Sequence, residues 1–134
     1  MEKIPLIINN FSDGKVISIK GNINNNEVYL YLDTGASRSI IDKRKLEKFT
    51  SKTPLKSLSL SGIQFDVETE EVDIKDLKIG SKSIEKRFYV VDLLNLNNSL
   101  TSNYIQVIDG IIGNDVLFEL NSIIDLKEGV LIID

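Results

Sequence analysis

The sequence predicts an all-β domain with one or two short helices, and two observations support this prediction. Short stretches rich in Ile, Val, Leu and Tyr recur along the 134 residues, and turn-forming Gly, Asn and Asp residues separate them. Hydrophobic residues make up 42% of the chain, which is enough for a packed core in a domain of this length. We therefore expect one domain, residues 1–134, built mostly from strands.

The first part of the chain is predicted to contain three strands. Asp13-Gly14 is a strong turn signal between the first two strands, and Asn24–Asn26 marks the turn before the third. In the third strand apolar residues alternate with Tyr29 and Tyr31, which predicts one buried face and tyrosines that pack on the sheet. The predicted strands are Ile4–Phe11, Lys15–Ile23 and Glu27–Leu32.

The middle of the chain is predicted to add strands and one short helix. Ser39–Ile41 has the composition of a short buried strand, and Asp42 can cap a helix over Lys43–Phe49. Small and apolar residues alternate through Leu55–Asp66. This pattern suits a strand that runs to an exposed hairpin tip at Gly62.

The next segment is predicted to be a hairpin followed by a loop. Gly80-Ser81 provides the turn between the predicted strands Val67–Ile79 and Ile84–Val91. Leu93–Asn103 is polar and rich in Asn, and this composition predicts a loop. We expect Tyr104–Ile108, which follows it, to be another strand.

The last residues are predicted to form a short helix and a closing hairpin. The helix is expected over Val116–Leu120, with Asn114 or Asp115 as its N-terminal cap. A Lys-Glu-Gly turn then separates two apolar stretches, which predicts a final pair of strands. These strands are Ile123–Leu126 and Val130–Ile133.

The residue types that are missing restrict the chemistry of the chain. It contains no His and no Cys, which excludes a Ser-His-Asp triad, a Cys-His pair and a zinc–thiolate site. The sequence has no Gly-rich phosphate loop, and its net charge of −4 argues against nucleic acid as a partner. Carboxylate, lysine or hydroxyl chemistry remains, and we expect neither a cofactor nor a metal.

The sequence also bears on membrane insertion and location. No apolar run approaches the ~18 residues of a membrane-spanning helix, so no membrane segment is expected. The apolar block near the N-terminus is too short for a signal peptide. The location stays open: cytoplasmic if the chain is complete, periplasmic or secreted if a signal segment has been removed.

Asp33-Thr34-Gly35 is the strongest candidate for chemistry. The motif directly follows the alternating stretch Val28–Leu32 and precedes Ala36-Ser37. An acid, a hydroxyl and a glycine at the end of a predicted strand can present a carboxylate on a tight turn. The chain has one copy of this motif and no imidazole or thiol. The carboxylate of Asp33 is therefore the predicted reactive group.

Three blocks of the sequence point together to a known family: Val28–Ser37, with its Asp-Thr-Gly; Asp109–Leu117, with its Ile-Ile-Gly; and Ile124–Ile133. They resemble the retropepsin-like aspartic proteases, and in particular bacterial-type single-domain members. Together they span nearly the whole chain. The resemblance implies a closed β-barrel that is one protomer of a homodimer, and an endopeptidase that cleaves peptide or protein substrates.

The resemblance also implies roles for particular residues. Asp33 would be catalytic and would pair with the Asp33 of a second protomer, because aspartic proteases use two carboxylates that share one proton. Thr34 and Gly35 would support the catalytic loop, Thr34 by bonding across the dimer. The residues implied to bind substrate are Ala36, Ser37, Gly62 and Ile63, with Gly62 near the tip of a flap over Leu55–Val72. The residues implied to pack behind the loop are Ile111, Ile112 and Gly113.

Each motif also has an ordinary interpretation. Asp-Thr-Gly by itself is often a simple turn. Lys43–Lys48 is better interpreted as a solvated helix face than as a binding site for substrate or nucleic acid. The acidic run from Glu68 to Asp73 is better interpreted as exposed strand charges than as a weak cation site. For the whole chain, the alternatives to a protease are a non-catalytic peptide-binding or interaction module that retains the fold, and an unrelated β-barrel domain.

Overall fold

The computed structural model describes residues 1–46 and 70–134, and between them the backbone of residues 55 and 56. The predicted flap residues Gly62 and Ile63 lie outside the described residues. The strands are β1 (Glu2–Pro5), β2 (Ile7–Phe11), β3 (Gly14–Ile23), β4 (Asn26–Leu32), β5 (Ile40–Asp42), β6 (Leu55–Lys56), β7 (Glu70–Ile79), β8 (Lys82–Val91), β9 (Gly110–Ile112), β10 (Ile123–Asp125) and β11 (Val130–Ile133). Within the described residues, the helical elements are a 3₁₀ turn (Lys43–Lys45), α1 (Leu94–Ser102) and α2 (Asn114–Glu119). The prediction of an all-β fold with short helices is confirmed.

Six strands form a closed barrel of mixed direction. Their order is β3-β4-β9-β5-β8-β7, and β3 pairs again with β7 to close the ring. β4 runs parallel to β9, and β5 runs parallel to β8, whereas β5 is antiparallel to β9. The parallel pairing brings the ends of β4 and β9 together. The residues that follow these two strands, Asp33 and Gly113, therefore meet at one end of the barrel.

A separate three-stranded sheet contains the two ends of the chain. Its order is β1-β11-β10, with all neighbours antiparallel. The single strand predicted over Ile4–Phe11 is wrong, because the chain changes sheets at Leu6: β1 pairs with β11, and β2 pairs with β3. At the break the Leu6 amide donates to the Gly129 carbonyl over 2.9 Å. Pro5 has no amide hydrogen to extend β1.

The main core fills the barrel, and β4 contributes its alternating face as predicted. Val28 and Leu30 are completely buried and Leu32 nearly so. Burying each of these side chains contributes roughly 1.5–3 kcal/mol to folding. Tyr31, on the opposite face of β4, packs with Ile111 against a second, smaller cluster of apolar residues. That cluster consists of Leu93, Leu100, Ile105 and Ile108.

The loop predicted over Leu93–Asn103 is wrong, since most of this segment forms α1. Its sequence is Asn-rich and has weak helical preference, but Leu100 is completely buried in the second cluster. Burial of this kind overrides the small differences in helix propensity between residue types. The strand predicted over Tyr104–Ile108 is also wrong. The buried side chain of Asn97 in α1 forms hydrogen bonds with both backbone groups of Ile108. Its Oδ1 atom accepts from the Ile108 amide over 2.9 Å, and its Nδ2 atom donates to the Ile108 carbonyl over 3.0 Å.

Two predicted elements, the helix over Lys43–Phe49 and the strand over Leu55–Asp66, lie partly outside the described residues, as does the start of the strand predicted over Val67–Ile79. The other predicted elements agree with the structure to within a few residues. β7 and β8 form the hairpin around Gly80-Ser81, and β10 and β11 form the closing hairpin. Asp42 caps a 3₁₀ turn over Lys43–Lys45 by accepting from the Arg44 amide over 3.3 Å. The predicted side-chain cap of α2 is wrong: the cap residue is Gly113, and it makes no side-chain hydrogen bond.

Candidate active site

The candidate site is the loop that joins β4 to β5, residues 33–39, which we call the Asp33 loop. The Asp33 amide donates to the Ile112 carbonyl over 3.0 Å, which extends the parallel pairing of β4 and β9 by one residue. The chain then turns sharply, with the Ala36 amide donating to the Asp33 carbonyl over 3.1 Å. The barrel strands therefore fix the point at which the loop begins and the direction in which it turns.

The Asp33 carboxylate lies on the outside of this turn and is exposed to solvent. Its Oδ1 atom accepts a hydrogen bond from the Gly35 amide over 2.9 Å. Within residues 1–46 and 70–134, no basic side chain forms an ion pair with it. The side chain is thus oriented by the backbone of its own turn, and its charge is available to a molecule that approaches from solvent.

Gly113 supports the Asp33 loop from behind, and it does so through the absence of a side chain. A Cβ atom at this position would lie 2.7 Å from the Ala36 carbonyl oxygen and 2.8 Å from the Arg38 carbonyl oxygen. Both distances are too short for a real contact. Only glycine allows the backbone after β9 to approach the loop this closely. Ile112 is completely buried beside Gly113, whereas Ile111 is half-buried and pairs with Tyr31 and Ile40.

Asn114 fastens the loop at two points. The backbone amide of Asn114 donates to the Ala36 carbonyl, and its side-chain Nδ2 donates to the Thr34 carbonyl, both over 2.8 Å. From the sequence, Asn114 is predicted only as a possible helix cap. Its position directly after Ile-Ile-Gly was the available signal, because a residue next to Gly113 must also lie against the loop.

Hydrogen bonds between Ser39 and Asp115 hold the end of the loop. The Asp115 carboxylate accepts from the Ser39 hydroxyl over 2.7 Å and from the Ser39 amide over 3.1 Å. The Ser39 hydroxyl oxygen in turn accepts from the Gly113 amide over 2.9 Å. Ser39 is completely buried and the Asp115 side chain is 12% exposed, so these hydrogen bonds are costly to break. Neither residue is predicted to belong to the site from the sequence.

Arg38 links the loop to the barrel wall. Its guanidinium lies 3.2 Å from Glu71 and 3.7 Å from Asp115, and it stacks 4.5 Å above the centre of the Tyr89 ring. Glu71 belongs to the acidic run from Glu68 to Asp73, which the sequence predicts to be exposed strand charges; for Glu71 this is wrong, because its side chain is largely buried and forms an ion pair with Arg38.

The other predicted site residues occupy the rim of the loop. Thr34, Gly35 and Ser37 are exposed, and Ala36 is half-buried. Thr34 also lines a pocket of about 280 Å³ between the loop and α2. The structure therefore brings the Asp-Thr-Gly residues together with Ile112 and Gly113. Gly62 and Ile63 fall in the part of the chain that it does not describe.

The arrangement suits carboxylate chemistry carried out at the end of a barrel. The described residues contain no group of three or more His, Cys, Asp or Glu side chains placed to bind a metal. In the same part of the chain, no helix is both long and apolar enough to cross a membrane. What the geometry offers is one exposed carboxylate on a loop that Gly113, Asn114 and Asp115 hold rigid.

Comparisons with known proteins agree with this geometry. The family model for aspartyl proteases matches residues 19–116, which include the Asp33 loop and the residues behind it. The retroviral protease-like domain of Ddi1 from Leishmania major is similar in structure, with 25% sequence identity and a TM-score of 0.60. That match covers 89% of this chain and 88% of the Ddi1 domain. No curated protein matches the chain.

Two further solved structures share the fold. EIAV protease, complexed with the inhibitor HBY-793, is 22% identical with a TM-score of 0.61, over 88% of this chain and 100% of that one. A retropepsin-like aspartic protease from Rickettsia conorii is 16% identical with a TM-score of 0.57, over 99% of this chain and 94% of that one. The predicted retropepsin-like fold is confirmed.

Proposed function

The chain belongs to the aspartyl protease family by its match over residues 19–116, and on this premise we propose that it is an aspartic endopeptidase. Asp33 supplies one carboxylate, and the Asp33 of a second copy supplies the other. The active form is therefore a homodimer with a twofold axis between the two Asp33 loops. The substrate is a peptide or an extended protein segment.

The observation that carries this proposal is the exposed Asp33 carboxylate on a loop fixed by the barrel. The Gly35 amide orients one carboxylate oxygen, and the Ile112 carbonyl holds the Asp33 backbone. A catalytic group that is already held in position loses less conformational entropy when the reaction begins than a mobile group does. The given sequence holds a single Asp-Thr-Gly, and in this proposal, as the family resemblance implies, a second copy of the chain supplies the partner carboxylate.

The chemistry follows from two carboxylates that lie close together. Like charges at short range do not both ionise, so the pair holds one proton. The ionised Asp33 removes a proton from a water molecule, whose oxygen attacks the peptide carbonyl carbon. The protonated Asp33 donates to the carbonyl oxygen. When the resulting diol collapses, the carbon–nitrogen bond breaks and the protonated carboxyl gives its proton to the leaving amine. The other carboxylate takes the proton of a diol hydroxyl, so the pair again shares one proton.

The residues around Asp33 have supporting roles in this proposal. Thr34 contacts the second copy, and Gly35 keeps the turn tight beneath the carboxylate. Ala36 and Ser37 lie on the same rim and contact the substrate, together with Gly62 and Ile63 of the flap. Ala36 lacks the hydroxyl that could donate to a carboxylate, so we expect the activity optimum to lie closer to neutral pH than in relatives that carry one.

Cleavage of a peptide library tests the proposal. Asp33→Asn keeps the size of the side chain and an oxygen that can accept from Gly35, but it cannot act as a base. We expect this variant to lose activity by at least about a hundredfold, the usual contribution of general acid–base catalysis. Asp13→Asn removes an exposed carboxylate from a different turn and serves as the matched control. Unfolding curves of both variants should match the wild type.

The rival function is a peptide-binding module that retains this fold without catalysis. It predicts that wild type and Asp33→Asn bind extended peptides equally and that neither cleaves them. Equal cleavage by wild type and Asp33→Asn would instead assign the activity to another group or a contaminant. Either result would refute the protease proposal.

A further inference from the structure

A groove between α1 and the 3₁₀ turn has the size and the polar groups of a binding site. Its volume is about 540 Å³, within the range of ~300–1,000 Å³ that is usual for ligand pockets. We propose that this groove, which we call the α1 groove, binds an extended acidic segment of a peptide or protein. The residues that define it are Leu94, Asn98 and Thr101 of α1, together with Arg44, Lys45 and Val107.

The α1 groove and the Asp33 loop lie at opposite ends of β5. This strand begins directly after Ser39, the last residue of the Asp33 loop, and it ends at Asp42. The 3₁₀ turn that carries Arg44 and Lys45 follows Asp42. A strand of this length spans roughly 10 Å. The groove is therefore a separate site, and binding there does not depend on catalysis by Asp33.

One face of α1 forms a side of the groove. Leu94, Asn98 and Thr101 follow each other at intervals of four and three residues, so they lie on the same face of the helix. From Leu94 to Thr101 the helix rises by roughly 10 Å, the length of about three residues of an extended peptide. Asn98 and Thr101 are exposed, and their amide and hydroxyl groups can form hydrogen bonds with the backbone of such a segment.

Contacts on the inner side of α1 fix its position, so the groove exists before a ligand arrives. Leu100 is completely buried in the second apolar cluster, and Asn97 forms hydrogen bonds with both backbone groups of Ile108. A site that is already ordered loses less free energy on binding than one that must first become ordered. Leu94, which is 40% exposed, and the half-buried Val107 offer apolar contacts to the aliphatic part of a bound side chain.

The charged residues that line the α1 groove are both basic. In the part of the chain that the structure describes, Arg44 and Lys45 are the ionisable residues of its lining. The Lys45 Nζ atom lies 3.6 Å from Asp109 Oδ1, and the Arg44 Nη2 atom lies 3.4 Å from Asp42 Oδ2. Charge-assisted hydrogen bonds are about 2.7–2.9 Å long, so both cations keep N–H donors for a further carboxylate. Two residues of the basic run that the sequence favours as a solvated helix face therefore line a groove.

The carboxylates next to the groove are held by other parts of the protein. Asp42 is completely buried and Asp109 nearly so, and Asp109 accepts from the Tyr29 amide over 2.9 Å. Asp92 is exposed, but its carboxylate accepts from the Leu94 amide at the start of α1 over 2.9 Å. The groove thus presents mainly donors, which complement the carboxylates of an acidic segment. Two cations and a net charge of −4 do not suit the continuous phosphates of a nucleic acid.

Fluorescence anisotropy of a labelled peptide tests the α1 groove. The probe is Gly-Glu-Glu-Glu-Gly, and Gly-Gln-Gln-Gln-Gly is its uncharged counterpart. Lys45→Gln removes a charge from the groove, and we expect the dissociation constant of the acidic probe to rise by at least about fivefold. Lys43→Gln is the matched control, because Lys43 lies on the same 3₁₀ turn but is exposed outside the groove. Its dissociation constant should stay within about twofold of wild type.

A second pair of variants adds a negative charge to α1. Thr101→Glu places a carboxylate in the groove, and we expect it to weaken binding of the acidic probe by at least about tenfold. Ser99→Glu is its matched control, because Ser99 is also exposed on α1 but lies two positions earlier, on another face of the helix. Binding by this control should stay within about twofold of wild type. Circular dichroism should show that all four variants are folded.

The outcomes separate the α1 groove from the proposed active site. Asp33→Asn should bind the acidic probe as tightly as wild type does, and a loss of binding in this variant would place the peptide at Asp33 and overturn the inference. Equal binding of the two probes, or equal effects of Lys45→Gln and Lys43→Gln, would overturn it as well. Complete displacement of the probe by inorganic phosphate at constant ionic strength would identify a site for free anions and refute peptide binding. None of these results changes the cleavage test of the protease.

Discussion

Gly113 provides the sharpest test of how the Asp33 loop is held. Its backbone is extended, with φ −99° and ψ −170°, a conformation that any residue can adopt. Glycine is therefore not required at this position for its conformational freedom. It is required because a Cβ atom would lie 2.7 Å from the Ala36 oxygen and 2.8 Å from the Arg38 oxygen. Gly113→Ala should consequently destabilise the protein through a steric clash alone.

The size of the effect follows from the atoms involved. Both oxygens belong to the backbone, so the clash cannot be relieved by rotating a side chain. Overpacking of this kind typically costs 1–3 kcal/mol, and we expect about 2–3 kcal/mol here. The upper part of the range applies because a shift of the loop also stretches the bond of 2.9 Å between the Gly113 amide and the Ser39 hydroxyl. In a domain of this size, the melting temperature should fall by about 6–15 °C.

The assay is urea denaturation, with Gly14→Ala as the matched control. A Cβ atom at Gly14 would have no heavy atom within 4 Å, so alanine should fit there. Its effect should lie between zero and a gain of about 1 kcal/mol. Cleavage by Gly113→Ala should fall more than its stability explains, since the displaced loop carries Asp33. Equal free energies of unfolding for the two variants would refute the argument from close approach.

Three further substitutions test other parts of the structure. Ser39→Ala leaves the buried Gly113 amide without an acceptor, so we expect the free energy of unfolding measured in urea to fall by about 1–3 kcal/mol. An unchanged denaturation midpoint would contradict the stabilising role of the Ser39 hydroxyl. Asn97→Asp keeps the shape of the side chain, but a carboxylate cannot donate to the Ile108 carbonyl. Thermal unfolding should therefore show a similar loss of stability, and amide hydrogen exchange around Ile108 should become faster. Hydrogen bonds from the hydroxyl and amide of Ser81 hold the pKa of Glu2 below its ordinary value of 4.5. The stabilisation from this lowered pKa is therefore fully present above about pH 4.5 and disappears as the pH falls through the folded-state value. Glu2→Gln should unfold more easily than wild type at pH 7, and the two should converge in acid; a constant difference across this range would refute the contribution of Glu2.

The sequence predicted the barrel strands and the candidate site for definite physical reasons. The alternation in β4 has a period of two, so it specifies both the strand and its buried face. Asp33-Thr34-Gly35 combines turn-forming residues with an acid, and this local chemistry can be identified without knowledge of any distant contact. The hairpin at Gly80-Ser81 follows from local signals in the same way.

The incorrect predictions have a common cause, which is that distant contacts decided the structure. The segment over α1 is Asn-rich and has weak helical preference, but burial of Leu100 makes it a helix. The segment that ends at Ile108 is apolar like a strand, but the side chain of Asn97 forms hydrogen bonds with the amide and the carbonyl of Ile108. The N-terminal stretch changes sheets at Leu6, because β11 offers one partner and β3 the other.

The sequence by itself predicted that the reactive group of the proposed protease is a carboxylate and that Asp33 presents it. Composition alone excluded imidazole and thiol chemistry, and the turn residues around Asp33 fixed the local geometry. Only the tertiary structure decided what holds that carboxylate in place. Gly113, Asn114 and Asp115 reach the loop through the parallel pairing of β4 with β9, a contact between residues about 80 positions apart. Such pairing depends on which strands become neighbours in the barrel, and no local pattern specifies that choice.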